Sequence, residues 1–308
     1  MATLYMMVGL PGSGKSEWAS KWDDVVVHSS DKIREEILGD VNDQTRQKEV
    51  FDTLKQRVWN DLRAGRNVVY DATNVATKRR KHFLIELKHQ GLADVKKVCV
   101  FMATSFDECV RRNQGRPRTV PIRVIRRMYE SFDPPMYREG WDDILIVDDA
   151  PDKWVGVPAR LKTLTTLEHD NPHHSYTVGQ HCVATMFAYQ SKYGWSSHEN
   201  KLTAIAALLH DFGKETTKTF YDSRGNKSDV AHYYNHEHVG AYDSFGLTIG
   251  MLEWERIWIA VLIRYHMYPF AIERSSNPEK TKSKLLNIVG DEMFEHIMAL
   301  HECDLDAH

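Results

Sequence analysis

Cysteine is scarce in this chain: four in 308 residues, Cys99, Cys109, Cys182 and Cys303, far apart and never spaced CxxC. That distribution excludes a zinc ribbon or a disulfide framework and suits a reducing cytoplasm. Long hydrophobic runs are missing too. The first apolar segment is only LYMMVG, and no run approaches the roughly 18 residues of a membrane span. We therefore expect no signal peptide, no transmembrane helix and no membrane partner. Neither sign of charge dominates, with 40 Lys and Arg against 43 Asp and Glu. This excludes binding to nucleic acid by bulk charge but leaves room for a local basic patch. Repeats and low-complexity tracts are absent, while a hydrophobic content of 42% is ample for buried cores.

What is present is unevenly spread. Thirteen of the 16 histidines follow residue 150, and only His28, His82 and His89 precede it. Between the two regions, SFDPPMYREGWDDILIVDDAPDKWVGVP mixes prolines with acids, a composition that interrupts regular structure. A junction near Asp149 gives two expected domains, 1–150 and 151–308.

The segment LYMMVG reads as a strand entering GLPGSGKS, Gly9 to Ser16, followed by the helical SEWASKW. A phosphate-binding loop requires this order. Gly9, Gly12, Ser13 and Gly14 let backbone N–H groups approach phosphate oxygens, Lys15 can reach the transferred phosphate, and Ser16 can ligate Mg²⁺. ATP and Mg²⁺ are the expected cofactors. Next, DDVVVHSSDKIREEILG reads as a strand ending at His28, with Ser30 or Asp31 opening a helix that carries Asp31 and Arg34 on one face. Strand ends of a doubly wound sheet face the ligand crevice. There Asp31 can accept the proton of an attacking hydroxyl and Arg34 can clamp an acceptor phosphate, against the plainer reading of an N-cap and a solvated arginine. A third strand, NVVYDATN, ends in Asp71 and Asn74, which support Mg²⁺, orient Arg34 or form a turn. The segment CVRRNQGRPRTVPIRVIRRMY supplies seven arginines with no acid among them. Its glycine and prolines suggest a mobile loop before a helix at Pro121; Arg112 and Arg116 suit a lid over phosphates, while Arg123, Arg126 and Arg127 suit a solvated face.

Together GLPGSGKS, SSDKIR, DATN, the RRNQGRP lid and VPIRVIRRMY resemble the kinase domain of polynucleotide 5′-hydroxyl kinases of the bacteriophage end-healing type, over about the first 150 residues. The resemblance implies that Asp31 is the general base on the 5′-hydroxyl, that Arg34 holds the acceptor strand's phosphate, and that Arg116 with Arg112 forms the lid. The lid is about a residue shorter than the family's before Val120, which leaves either Arg116 or Arg118 to reach the donor phosphates.

In the second half, LLHDFGK puts His210 and Asp211 directly after the apolar helical stretch KLTAIAALL. Imidazole and carboxylate from one helix can bind a divalent cation with ligands from other helices. Candidates are His181 in PHHSYTVGQH, His236 in NHEHVGA, His266 in LIRYH and Asp304 in HECDLDAH. Lys214, one turn after the pair, is placed to meet substrate charge. The second HD dipeptide, His169 and Asp170, precedes Asn171 and Pro172 and reads as a turn. NKSD, Asn226 to Asp229, has the form of a guanine-reading motif but sits in a polar turn far from the phosphate loop.

The ordered set resembles an HD-superfamily phosphohydrolase domain, an all-helical fold, over about residues 160 to 308. The resemblance implies two metals held by His181, His210, Asp211, His236, His266 and Asp304, with Asp211 bridging. His236 is chosen over His238 because HExVGA matches the family; His232, His238, His173 and His174 are substrate contacts or bystanders. The lead-in HDNPHHSYTVGQH resembles HD domains attached to tRNA nucleotidyltransferases, which act on 2′,3′-cyclic phosphates. Mn²⁺, Ni²⁺ or Co²⁺ suit imidazole donors, and paired metals lower the pKa of a bound water and clamp a phosphoryl group.

The expected architecture is an α/β P-loop kinase domain with a parallel sheet, then an all-α HD domain. The expected activity is end healing: phosphorylation of 5′-OH polynucleotide ends and removal of 2′,3′-cyclic phosphate or 3′-phosphate, on RNA or DNA, for a separate RNA ligase. Oligomeric state is left open. A nucleoside or small-metabolite kinase fused to an HD nucleotidase is the alternative, and transfer to an oligonucleotide but not to a free nucleoside separates the two. A purely regulatory module would show no turnover.

Overall fold

The computed structural model describes residues 1–116, 118–170 and 175–307, so His173 and His174 lie outside the described residues. It forms two compact units. The first comprises Met1–Tyr129 with Pro135–Lys153, and the second Glu130–Pro134 with Trp154–His308.

Runs of apolar residues with few breaks, such as TLYMMV and KKVCVFMA, suit strands buried on both faces. Among the described residues of the first unit, five strands form: β1 (Thr3–Val8), β2 (Val25–Ser29), β3 (Asn67–Asp71), β4 (Lys96–Ala103) and β5 (Asp143–Asp148). They pair in parallel in the order β2-β3-β1-β4-β5. Helices α1 (Lys15–Ala19), α2 (Ser30–Leu38), α3 (Gln47–Arg63), α4 (Thr77–His89), α5 (Phe106–Gln114) and α6 (Ile122–Tyr129) link them. Because β1 pairs with both β3 and β4, the connections leaving the sheet diverge there, and the carboxyl ends of the strands open a crevice. The glycine loop leaves β1, Ser29 and Ser30 leave β2, and Asp71 ends β3, so the candidate residues of the first half meet at one edge. Gly12 is required there: its φ is +87°, and a Cβ would fall 2.3 Å from the Cys109 carbonyl oxygen. The helix expected at Ser30 or Asp31 begins at Ser30, capped by Ser29 Oγ, which accepts from the Asp31 N–H at 3.3 Å.

Behind this edge lies a closed ion pair. Arg80 Nη2 stands 2.6 Å from Glu139 Oε1 with both side chains out of water, and Arg80 Nη1 donates to the carbonyls of Asn74 and Val75 at 3.0 and 3.1 Å. The turn after β3 is thereby pinned.

The second unit carries α7 (Val157–Leu164), α8 (Val178–Tyr193), α9 (His198–Leu209), α10 (Lys214–Thr217), α11 (His236–Leu247), α12 (Glu253–Tyr265), α13 (Tyr268–Glu273), α14 (Pro278–Val289) and α15 (Asp291–Asp306). α9 packs on α8 and α12, α8 on α15, and α12 on α11. The expected all-α composition needs a correction. Between α10 and α11 stands an antiparallel pair, β6 (Lys218–Tyr221) and β7 (Lys227–Tyr233). Of NKSD, expected in a polar turn, only Asn226 lies in the turn at its tip, where the Asp222 carboxylate accepts from the N–H groups of Arg224 and Asn226 at 2.9 and 2.8 Å; Lys227, Ser228 and Asp229 already belong to β7. Among the described residues no helix is long and apolar enough to cross a membrane.

Arg80→Ala is expected to lower the unfolding free energy by about 3 to 5 kcal/mol, because it leaves Glu139 buried and unpaired. Arg46→Ala, whose partner Glu49 is solvent-exposed, should change it by at most about 0.5 kcal/mol. Urea unfolding of both variants checks the difference; equal midpoints would remove Arg80 from the supports of the fold.

Candidate functional site

The crevice of the first unit is a cavity of about 850 Å³ whose wall includes the glycine loop, Asp31, Arg34, Asp71, Arg112, Arg116 and Arg118. Lys15 folds onto the loop, donating from Nζ to the Gly9 and Leu10 carbonyls at 3.1 and 2.7 Å. Burial lowers its pKa, the Asp71 carboxylate opposes that, and the Arg116 charge adds to it. Ser16 Oγ donates to Asp71 Oδ2 at 3.1 Å, so hydroxyl and carboxylate are already paired as an oxygen donor set of the kind Mg²⁺ takes. Asp31 presents its carboxylate to the cavity, with Oδ1 accepting from Arg34 Nη1 at 3.0 Å. Arg34 lies behind it, 4% exposed, and its Nε has no acceptor among the described residues. A buried donor left open beside a cavity suits an incoming anion.

The lid arginines fare differently. Arg112 is bound by Glu108 Oε1 at 2.6 Å and by Asp149 Oδ2. Arg118 Nη1 reaches Asp31 Oδ2 at 2.5 Å. Asn74 is not on the cavity wall; its amide donates to the Met7 carbonyl at 2.9 Å, tying the ends of β1 and β3 together. Asp149 escaped the sequence reading, which saw it only as a junction. Its signal was its place just past the end of β5, the counterpart of Asp71 at the end of β3.

In the second unit the six expected ligands converge. His181, His210 and Asp211 bring donor atoms within 4.8 Å of one another, and so do Asp211, His236 and His266. Asp211 Oδ2 lies 3.3 Å from His210 Nε2, and its Oδ1 lies 3.3 Å from His236 Nε2 and 3.8 Å from His266 Nε2, so the two oxygens face different groups. Asp304 Oδ1 stands 2.8 Å from His181 Nε2 and 3.4 Å from His210 Nε2.

The outer nitrogens explain this orientation. Nδ1 of His210, His236 and His266 sits 2.7, 2.8 and 2.7 Å from the carbonyl oxygens of Ala207, Tyr233 and Ile263, and that of His181 lies 3.2 Å from Ala307 O. A carbonyl only accepts, so Nδ1 carries the proton and Nε2 faces inward. The Nε2 atoms of His236 and His266 stand 3.2 Å apart, an arrangement of two acceptors that calls for a cation between them. Electrostatics make the same demand. Burial disfavours a charged His210, yet Asp211 and Asp304 outweigh it and hold its imidazole up to about 10, while burial with His210 and His236 nearby pushes His266 down to about 3. The carboxylates draw positive charge into the cluster, as a proton on His210 or as a bound cation. The donor set of imidazoles and a shared carboxylate fits Mn²⁺, Ni²⁺ or Co²⁺.

Around the cluster, Lys214 Nζ lies 2.6 Å from Asp211 Oδ2, directed at the carboxylate. Gly213 permits a close helix approach, since a Cβ there would fall 2.1 Å from the His236 carbonyl oxygen. His238 turns to the Phe132 carbonyl at 2.7 Å, and His232 lies 3.2 Å from Ser228 Oγ. His169 was read as part of a turn, and Asp170 does have a φ of +46°. The His169 ring is nevertheless buried edge-on to His181, with centroids 5.8 Å apart.

A family model described as an AAA domain matches residues 4–135. The chain is 27% identical over 158 residues to the L-seryl-tRNA(Sec) kinase of Methanococcus maripaludis, across 49% of this chain and 60% of that protein. It thus spans less than two thirds of that relative. Two solved structures are partly similar. One, of a Pnkp1/Rnl/Hen1 complex, has 25% identity and a TM-score of 0.31 over 36% of this chain and 38% of that one. The other, of a Pnkp1/Rnl/Hen1 RNA repair complex, has 23% identity and a TM-score of 0.35 over 43% and 46%. The amino-terminal unit is a kinase-like P-loop domain on a parallel sheet, and a helical region follows it.

Titrating metal-free protein with Mn²⁺ or Ni²⁺ is expected to stabilise it by about 2.7 kcal/mol at a hundred times the dissociation constant, read as a rise in melting temperature. Asp211→Ala removes a donor from both groups and should abolish the rise. An undiminished rise in that variant would place the cations elsewhere.

Proposed function

We propose that this chain heals broken nucleic-acid ends. Its first domain, about residues 1–150, transfers phosphate from ATP to a 5′-hydroxyl. Its second, about 151–308, is an HD-type phosphoesterase that opens a 2′,3′-cyclic phosphate or removes a 3′-phosphate, readying the strand for an RNA ligase. The observation that carries this reading is the pairing, in one chain, of a P-loop cavity with a reachable carboxylate, Asp31, and a buried cluster in which Asp211 serves two donor groups. The relative that is a kinase for L-seryl-tRNA(Sec) supports an RNA-borne acceptor over a free nucleoside.

In the first domain, loop N–H groups and Lys15 hold the donor phosphates, and Arg116 faces them from the lid. Ser16 and Asp71 would hold Mg²⁺, which when bound offsets phosphate charge. Arg34 holds the acceptor's neighbouring phosphate and Asp31 takes the hydroxyl proton. In the second domain His181, His210, Asp211 and Asp304 would hold one cation, and Asp211, His236 and His266 another. Such cations supply Lewis acidity when bound. The chain's own contribution is orientation: backbone carbonyls fix the four imidazoles, and Lys214 neutralises Asp211.

The test is an oligonucleotide with a 5′-hydroxyl and a 2′,3′-cyclic phosphate, given ATP, Mg²⁺ and Mn²⁺, Ni²⁺ or Co²⁺, with both ends read. Asp31→Ala should slow 5′ phosphorylation by about 10² to 10⁴ while keeping ATP binding, and leave 3′ processing intact. Asp211→Ala should do the reverse. Loss of both activities in folded Asp211→Ala would mean one composite site and end the two-centre reading.

A further inference from the structure

We infer that Arg118 is a positioning residue for the general base: held by Asn42, it fixes the Asp31 carboxylate against the acceptor hydroxyl, so that the lid's arginines divide into a donor-side Arg116 and a base-side Arg118. The inference rests on the kinase reading above.

Asp31 is tied at both oxygens. Oδ1 accepts from Arg34 Nη1 at 3.0 Å, a partner one turn along the same helix, and Oδ2 forms an ion pair with Arg118 Nη1 at 2.5 Å, a partner from the loop after α5. A carboxylate held by one oxygen still turns about its terminal bond; a second tie from another element removes that rotation. Arg118 is itself held, since its Nε donates to Asn42 Oδ1 at 3.3 Å in the loop between α2 and α3. The carboxylate remains usable. Its side chain is 43% exposed, and each carboxylate oxygen that accepts one hydrogen bond retains a lone pair for an incoming O–H. As the new O–P bond forms and the bond to ADP breaks, the hydroxyl proton passes to Asp31.

The other lid arginines do not share this task. Arg112 is committed to Glu108 and Asp149, and the charge of Arg116 is felt at Lys15 in the donor subsite. Arg118 therefore links two conditions of transfer that are separable in principle: the lid in place, and the base aimed.

The experiment measures kcat and KM for ATP and for a 5′-hydroxyl oligonucleotide in wild type, Arg118→Ala, Arg118→Lys and Asn42→Ala, and repeats Arg118→Ala in an Asp31→Ala background. A positioning role predicts that Arg118→Ala lowers kcat by about 10- to 100-fold with both KM values within about 3-fold of wild type. Arg118→Lys should recover part of the loss and Asn42→Ala should show a smaller one. In the Asp31→Ala background Arg118→Ala should cost less than about 3-fold more, because its effect runs through the base. A rise in the oligonucleotide KM at constant kcat would make Arg118 a strand contact, and a rise in the ATP KM would make it a donor contact; either overturns the inference. So does an equal loss in the Asp31→Ala background. Wild-type protein that transfers no phosphate to a 5′-hydroxyl end would sink the kinase reading and this inference with it, whereas an active wild type matched by Arg118→Ala sinks the inference alone.

Discussion

A charge taken out of water must be met by an opposite charge or a ligand, and this constraint organises both units. Where the match is complete the result is scaffold. Arg80 and Glu139 satisfy each other beneath the turn after β3, with spare donors of Arg80 on backbone carbonyls. Where the match is incomplete the result is a site. Arg34 is as deeply buried as a scaffold residue, yet its Nε has no acceptor among the described residues, and its partner Asp31 stands in the cavity wall. Asp211 is surrounded by Lys214 and imidazoles whose inner nitrogens compete for one region of space.

The same principle sorts the arginine-rich segment. Read in sequence, its arginines form one uninterrupted positive run. In the fold, acids one helical turn away and from distant points of the chain divide them. Glu108 and Asp149 bind Arg112, Asp31 binds Arg118, and Arg126 lies over the Phe106 ring with 5.2 Å to the centroid. A basic loop therefore becomes a set of individually addressed side chains, which a uniform phosphate-binding face would not need.

Much of this was legible beforehand, for identifiable reasons. Strand, glycine loop and helix leave local signals of hydrophobic run, positive φ and apolar spacing, so the position of Lys15 and Ser16 and the strand-end places of Asp31 and Asp71 could be read residue by residue. The grouping of His181, His210, Asp211, His236, His266 and Asp304, which the fold brings together, was expected from their resemblance to a family, since no single histidine announces its neighbours. What escaped was set by long-range pairing. Nothing local to Arg118 points to Asp31, and nothing local to His169 points to His181. Asn74 was placed at the site because it ends the NVVYDATN stretch, but the parallel neighbour β1 offered its amide a carbonyl first. The β6 and β7 pair hid behind a motif-like turn in a region otherwise helical.

The way the imidazoles are held shows why helix ends are suitable places for such a cluster. A helix leaves its last carbonyls without intrahelical donors. Ala207 lies in the last turn of α9 and Ile263 in the last turn of α12, and His210 and His266, the residues just past those helices, stand within hydrogen-bond distance of them through Nδ1. One bond thus satisfies a helix end, selects the tautomer and aims Nε2 inward. Asp211 follows where the chain turns out of α9, with Phe212 N–H returning to the Leu209 carbonyl at 3.1 Å, so consecutive side chains reach one centre although they leave the backbone in different directions. A histidine in mid-helix would find its neighbouring carbonyls already occupied and could not be fixed this way. The HD pair carries meaning in LLHDFGK because it coincides with a buried helix end.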